Sequence, residues 1–228
     1  MSTLTTALTY ARTSAATDIS ALTDANGLIW ANAALLDIRR EFIRRGIDAA
    51  QVQEAYRDGV IGTGTYLYPA DMFMLKTLEL NYTDSTQTNY VTADQIDVAN
   101  LPGGSFDWLR INQGAQKPLF DDRGDWFEIF PTPAGGNNVT KIAKIFYYLQ
   151  PTEYATVGDT LAYPETLDYR ILGKRIWMYY WRSLGRAEEA KMLDEESIKD
   201  IANTVQLLSM GEETPQRTQG IRWTGGEF

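Results

Sequence analysis

The 228-residue chain contains no cysteine and no histidine, and these two absences remove more chemistry than any motif adds. Without cysteine there is no disulfide framework, no thiol nucleophile and no thiolate zinc site. Without histidine the usual general base near neutral pH is missing, together with Ser-His-Asp triads and imidazole metal ligands. Carboxylate chemistry is the common enzymatic option that remains. Long apolar runs are absent as well: no stretch approaches the roughly 20 residues a membrane span needs, so no membrane partner is expected. The opening MSTLTTALTYARTSAATDIS has neither a basic n-region nor a continuous apolar h-region. No secretion signal is read there, and the sequons at Asn81 and Asn138 then carry no glycosylation meaning. This Thr/Ser/Ala-rich opening predicts a mobile arm or an early short helix. Positive charge is scarce, 21 Lys and Arg against 30 Asp and Glu for a net charge of −9. The surface as a whole therefore repels nucleic acid, and sequence-specific DNA binding is not expected.

Hydrophobic residues make up 44% of the chain, enough for one or two domains with a substantial core. From Pro164 to Met210 the pattern reads as two consecutive amphipathic helices. Pro164 suits a first helical turn, and Glu165 and Asp168 place negative charge at the positive end of the dipole. Leu167, Ile171, Leu172, Ile176, Tyr179, Tyr180 and Leu184 recur at helical spacing, with Trp177 and Trp181 one turn apart beside them. Gly185 ends or kinks this helix. A second stripe follows from Arg186 through Ala190, Leu193, Ser197, Ile201, Val205 and Leu208, and Gly211 supplies the stop. The pair is expected to form a hairpin or one bent rod. Nearer the N-terminus, Asn26 to Arg45 predicts a helix with a seam of Leu28, Ala31, Leu35, Ile38 and Phe42, widened by Leu36 and Ile43, and with Asp24 as its cap. Arg39, Arg40, Arg44 and Arg45 crowd its last two turns. Dipole compensation and ion pairs with Asp37 and Glu41 account for them better than a phosphate site does.

A short helix is expected around Ala49 to Asp58, after which GVIGTGTYLYP shifts the period toward two. Its glycines make no phosphate loop, since no Lys-Ser/Thr follows them; a hinge is the better reading. Met72 to Tyr82, Gln95 to Ala99, Trp108 to Ile111, Trp126 to Pro131 and Lys141 to Leu149 read as strands. LPGGSFD, FDDRGDW and PAGGNN read as turns. The strongest hairpin pattern is WFEIFPTPAGGNNVTKIAKIFYYL. Asp121, Asp122 and Asp125 form the dense acidic cluster of this region, with Arg123 among them, but they lack the EF-hand order and suit a tight turn better than a Mg²⁺ or Ca²⁺ site or an acid and base pair. Beyond Gly211 the segment EETPQRTQGIRWTGGEF is aperiodic yet carries Ile221, Arg222, Trp223 and Phe228, anchors that an extended arm offers to a partner.

The fold class expected is α+β: a helical bundle from residues 1–66 and 159–210, an inserted antiparallel β-sandwich or small barrel over 67–158, and an extended C-terminal arm over 211–228. No catalytic, cofactor-binding or metal site is expected. ILGKRIWMYYWRSLGRAEEAKMLDEESIKDI, preceded by IFYYLQPTEY, resembles tailed-phage head-to-tail adaptor (connector) proteins, especially those of podophages. The resemblance covers most of the chain. It implies a structural, non-enzymatic virion protein at the head-tail junction, assembled in the host cytoplasm as a homo-oligomeric ring, commonly of twelve copies. The portal protein and tail nozzle or fibre proteins are the implied partners, and DNA passes non-specifically through the lumen. An acidic surface is compatible with such a conduit, because every Lys or Arg that neutralises a phosphate adds a salt-dependent hold on sliding DNA. On this reading the arm residues Ile221, Arg222, Trp223 and Phe228 bind the portal. Arg39, Arg40, Arg44, Arg45, Trp177 and Trp181 contribute to subunit contacts, the arginines facing a neighbour's acidic helix. The loops with Asp121, Asp122, Arg123, Asp125, Asn137 and Asn138 face the tail. SLGRAEEA also resembles the turn of a tetratricopeptide unit, though a repeat array needs several copies of about 34 residues and one is present. A helical-hairpin interaction module with a β appendage is therefore the alternative, and a carboxylate hydrolase the least favoured.

Overall fold

The computed structural model describes residues 2–15, 21–46, 52–83, 89–96, 109, 113–137, 140–161 and 168–213. The chain divides into two compact units, Met1–Ala50 with Pro151–Phe228, and Gln51–Gln150.

The first unit is helical. α1 spans Leu4–Ser14, so the N-terminal opening is a helix, and Leu4, Ala7, Leu8 and Ala11 on one face are fully buried. The first N–H groups of a helix lack intrahelical acceptors, and here main chain supplies them: Leu4 N–H donates to Asp159 O at 2.9 Å and Thr5 N–H to Val157 O at 2.8 Å. The Asp159 carboxylate in turn accepts from Thr156 N–H at 2.9 Å, Thr156 Oγ1 at 2.7 Å and Ala155 N–H at 2.7 Å. These bonds, those of Thr156 foremost, hold its pKa below the ordinary carboxylate value.

α2 spans Asp24–Arg44, with Thr23 as its N-cap accepting from Asn26 N–H at 3.2 Å. Asp24, expected to cap, is instead the first helical residue and pairs with Arg12 at 2.6 Å. Gly27, Ala31, Ala34, Leu35, Ile38 and Phe42 form the buried seam. α3 spans Tyr169–Ser183, five residues later than the expected start at Pro164. Asp168 is extended (φ −146°, ψ 94°) and its carboxylate accepts from Arg170 N–H at 2.9 Å, which makes it the cap rather than a first-turn charge. Pro164, Glu165 and Leu167 lie outside the described residues. α4 spans Ala187–Glu213 and passes through Gly211, the expected stop. A glycine within a helix costs about 1 kcal/mol against alanine but ends it only by turning into the left-handed region.

Gly185 does make that turn, with φ +75°. Gly185 N–H donates to Arg182 O at 3.1 Å and Arg186 N–H to Trp181 O at 3.0 Å, the paired bonds of a Schellman motif. The Arg186 guanidinium lies 4.2 Å from the Trp181 ring centroid and closes the turn from above. The expected hairpin follows. A Cβ on Gly185 meets nothing within 4 Å, so Gly185→Ala tests the backbone alone: it is expected to cost about 1 kcal/mol through the left-handed conformation, read as a fall of a few degrees in Tm.

The second unit holds two four-stranded sheets, ordered β1-β8-β3-β4 and β2-β7-β6-β5. β1 is Val52–Arg57, β2 Thr65–Leu67, β3 Met72–Leu80, β4 Val91–Thr92, β5 Asp94–Gln95, β6 Leu119–Asp122, β7 Trp126–Phe130 and β8 Ala143–Leu149. Tyr66, Phe120, Phe127 and Ile129 from one sheet join Leu78, Leu80, Ile145 and Tyr147 from the other in a single core, which makes the unit a sandwich. Its pairing is antiparallel except for the parallel β5–β6 contact. The expected helix around Ala49 to Asp58 is β1 over its described part. Val52–Arg57 lies antiparallel along β8, with Tyr56 opposite Lys144, so long-range pairing overrides local helix propensity. The expected β7–β8 hairpin does not form. Each strand is central to its own sheet, β7 between β2 and β6 and β8 between β1 and β3, and the segment between them opens with Pro131 and Pro133, which cannot donate to a ladder. Of the expected strand Gln95 to Ala99, Gln95 pairs within β5 and Ile96 N–H donates to Phe120 O at 2.8 Å, while residues 97–99, like Trp108, Arg110 and Ile111, lie outside the described residues.

Candidate assembly surfaces

Among the described residues, the candidates fall on α2, on α3 and on the turns of the β unit. On α2, the four arginines divide by burial. Arg39 is 8% exposed, leaving little of it for a partner. Arg45 Nε pairs with Glu41 Oε1 at 2.9 Å, while Arg40 lies 3.8 Å from Asp37 and Arg44 3.7 Å from Glu41. These are the intrahelical pairs expected of Asp37 and Glu41. Asp37 is used twice, since it also accepts from Tyr179 Oη at 2.7 Å and so ties α2 to α3. Burial, with this hydrogen bond second, pushes the Tyr179 phenol up to about 12. The phenol therefore keeps its donor proton across the neutral range.

Trp177 and Trp181 are half-buried. Trp177 packs against the main helical core and against a small cluster of Met178, Ala190 and Leu193. Its buried indole N–H has no acceptor among the described residues. α3 and α4 are joined by ion pairs that sequence reading missed. Arg175, 6% exposed, pairs with Asp194, and Lys174 pairs with Asp200 at 2.7 Å and Glu196 at 3.4 Å. Only the opposite charges on adjacent helices signalled them, and partner choice there depends on the rotation of each helix about its axis.

In the β unit the FDDRGDW turn contracts to Arg123–Asp125, flanked by β6 and β7. Gly124 takes φ +86°, its N–H donates to Asp122 Oδ1 at 2.9 Å, and Arg123 N–H donates to Trp126 O at 2.9 Å. Strand alternation separates the acidic cluster. Asp122 and Asp125 are exposed at the loop, whereas Asp121 is 5% exposed, beside the equally buried Glu128 in cross-strand register. Burial raises the Asp121 carboxyl, and Arg123 at 2.5 Å opposes that shift. A missed strand, β6, is the reason: Phe120 and Asp122 alternate with Leu119 and Asp121, a pattern too short to read against the turn residues that follow. No group of three or more acidic side chains placed to hold a metal is found among the described residues. Asn137 closes another tight turn, with Ala134 N–H donating to its Oδ1 at 2.8 Å. Asn138 and the arm residues Ile221, Arg222, Trp223 and Phe228 lie outside the described residues. No described helix is long and apolar enough to cross a membrane.

The chain thus offers helix faces and turn loops, and a family model described as SU10 adaptor protein matches residues 2–219. The chain belongs to the SU10 adaptor protein family. The match takes in both compact units and agrees with a phage head-to-tail adaptor of structural role. No curated protein matches the chain.

Proposed function

We propose that this adaptor assembles as a closed ring between the portal and the tail, with DNA passing through its lumen. The family match over residues 2–219 is the observation that carries the reading. The helical unit makes the subunit contacts, and the C-terminal arm docks on the portal through Ile221, Arg222, Trp223 and Phe228. The exposed turn at Asp122–Asp125 and the loop segment of Asn137 and Asn138 receive tail nozzle or fibre proteins. An aromatic arm suits a portal groove because an extended segment gains main-chain pairing along a sheet edge and fills pockets with alternate side chains. The net charge of −9 suits a lumen that does not grip DNA.

Because α4 continues to Glu213, the arm is removed cleanly by truncation after that residue. The truncated chain is expected to keep the helical circular dichroism of the full chain. It is also expected to lose the extra ring density that the full chain adds beneath a portal ring in negative-stain electron microscopy. A truncated chain that still decorates the portal overturns the arm as the clasp; a full chain that never does so favours the helical-hairpin module instead.

A further inference from the structure

Two helices of the helical unit carry a second face, turned away from their core. At about 100° per residue, the buried seam of α2 leaves Ile29, Ala33, Leu36, Arg40 and Ile43 on the opposite side. Their spacing of four, three, four and three residues is the repeat by which one helix packs along another. Ile29 is 65% exposed, and the side chains of Arg40 and Arg44 are 52% and 72% exposed. On α4 the buried positions include Ala190, Leu193, Ser197 and Ile201. Glu188, Met192, Glu195 and Lys199 lie opposite them. Met192 is 63% exposed, an apolar side chain set between two glutamates on its own helix face.

We propose that the outer face of α2 in one copy packs against the outer face of α4 in the next copy. Met192 seats in the apolar stripe near Leu36 and Ile43, and Arg40 and Arg44 meet Glu188 and Glu195. This rests on the ring reading above and names the surfaces that would close the ring. Three observations favour a second copy over another partner. Both halves of the contact exist in one chain, each with an exposed apolar anchor beside charged side chains. The excess charges are opposite: the outer side of α2 carries Arg40 and Arg44, while the outer face of α4 carries Glu188 and Glu195 against Lys199. The pairs that Arg40 and Arg44 make within their own helix are long and exposed, a class worth about 0–1 kcal/mol, so exchanging them for pairs across an interface costs little. Since the two faces differ, the contact is heterologous, and such contacts close into rings when the rotation between copies permits.

Phage particles carrying Ala33→Cys and Met192→Cys in the adaptor test this directly, because the natural chain contributes no other thiol. Treatment with a short bis-maleimide, followed by denaturing electrophoresis and immunoblotting, is expected to give a ladder of adaptor multiples, with each single-cysteine variant remaining a monomer. Arg40→Glu with Arg44→Glu is expected to lower adaptor incorporation into particles at least tenfold, and adding Glu188→Lys and Glu195→Lys to restore it. If the first cysteine pair fails to incorporate, Arg40→Cys with Glu188→Cys probes the same contact. Incorporated cysteine pairs that give only monomer, in particles where lysine-directed glutaraldehyde does give a ladder, overturn the proposed faces and leave the ring. The absence of a ladder with glutaraldehyde as well removes the ring and this contact with it.

Discussion

Gly173→Leu is expected to lower the stability of the helical unit by about 3 kcal/mol or more, the upper range for overpacking a close contact. Gly173 lies on α3 where α1 comes nearest. A Cβ at that position falls 2.9 Å from the Ala7 carbonyl oxygen and 2.7 Å from Tyr10 Cδ1. The Tyr10 ring can rotate, at the expense of its edge-on packing against Tyr169 at 6.1 Å. The Ala7 carbonyl cannot, because it belongs to the main chain of a helix whose Leu4, Ala7, Leu8 and Ala11 are all fully buried. α1 must therefore move as a body, and its tethers at Val157 and Asp159 must stretch with it. Alanine at the same position separates two effects: it regains about 1 kcal/mol of helix propensity yet still meets the carbonyl, so its net cost is expected to be smaller than that of leucine. Gly27 provides the contrast. Its added Cβ would meet Leu8 Cδ2 at 2.4 Å, the far end of a flexible side chain, and Gly27→Ala is expected to be milder than Gly173→Leu. Thermal melts followed by circular dichroism check the order. At about 2–4 °C per kcal/mol for a chain of this size, leucine at 173 lowers Tm by roughly 6–12 °C, and an unchanged Tm would show that α1 does not pack there.

Phe127→Ala is expected to cost the β unit about 3–5 kcal/mol, the range for deleting a buried phenylalanine side chain. Phe127, the second residue of β7, is fully buried. Its ring centroid lies 4.8 Å from that of Tyr68 and 5.8 Å from that of Tyr66, its cross-strand partner on β2. Truncation opens a cavity between two sheets and also removes both aromatic contacts, each worth about 0.5–1.5 kcal/mol beyond area. Burial holds the Tyr68 phenol far above its ordinary pKa, and Tyr66 Oη donates to the Thr63 carbonyl at 2.9 Å. Phe127→Leu keeps most of the volume and is expected to lose much less. Urea unfolding followed by tyrosine and tryptophan fluorescence reads both variants, and equal midpoints for alanine and leucine would show that the cavity does not form.

The helical unit was legible because its signals are local. Apolar spacing placed α2, α3 and α4 with most of their core faces, though Leu184, expected on the α3 face, is 52% exposed, and Gly185 marked the turn between the last two, since a left-handed turn closed by Schellman bonds needs only a few adjacent residues. Helix starts were less legible. Thr23 caps where Asp24 was expected to, and Asp168 caps a helix expected to begin at Pro164, because several neighbouring residues are chemically competent and backbone conformation chooses among them. The β unit was legible as a class and not as a pairing. QVQEAYRDG carries helix formers, and only the presence of β8 nearly ninety residues later makes Val52–Arg57 a strand. The runs either side of PTPAGGNN alternate as hairpin strands do, yet their partners come from β2, β6, β1 and β3, and nothing within the segment encodes that choice. Among the candidate residues, the α2 arginines and their intrahelical partners followed from i, i+3 and i, i+4 spacing. The outward face of α4 with Met192 did not stand out, because its apolar content is a single exposed side chain amid charge.

The account rests on the ring at the head-tail junction, and cryo-electron microscopy of that junction in phage particles tests it most directly. The account predicts a closed ring of this chain, coaxial with the DNA channel, in which each copy shows both the α3–α4 hairpin and the two-sheet sandwich. Density at the junction with no copy of this fold, or copies that fail to close around the channel, would contradict it.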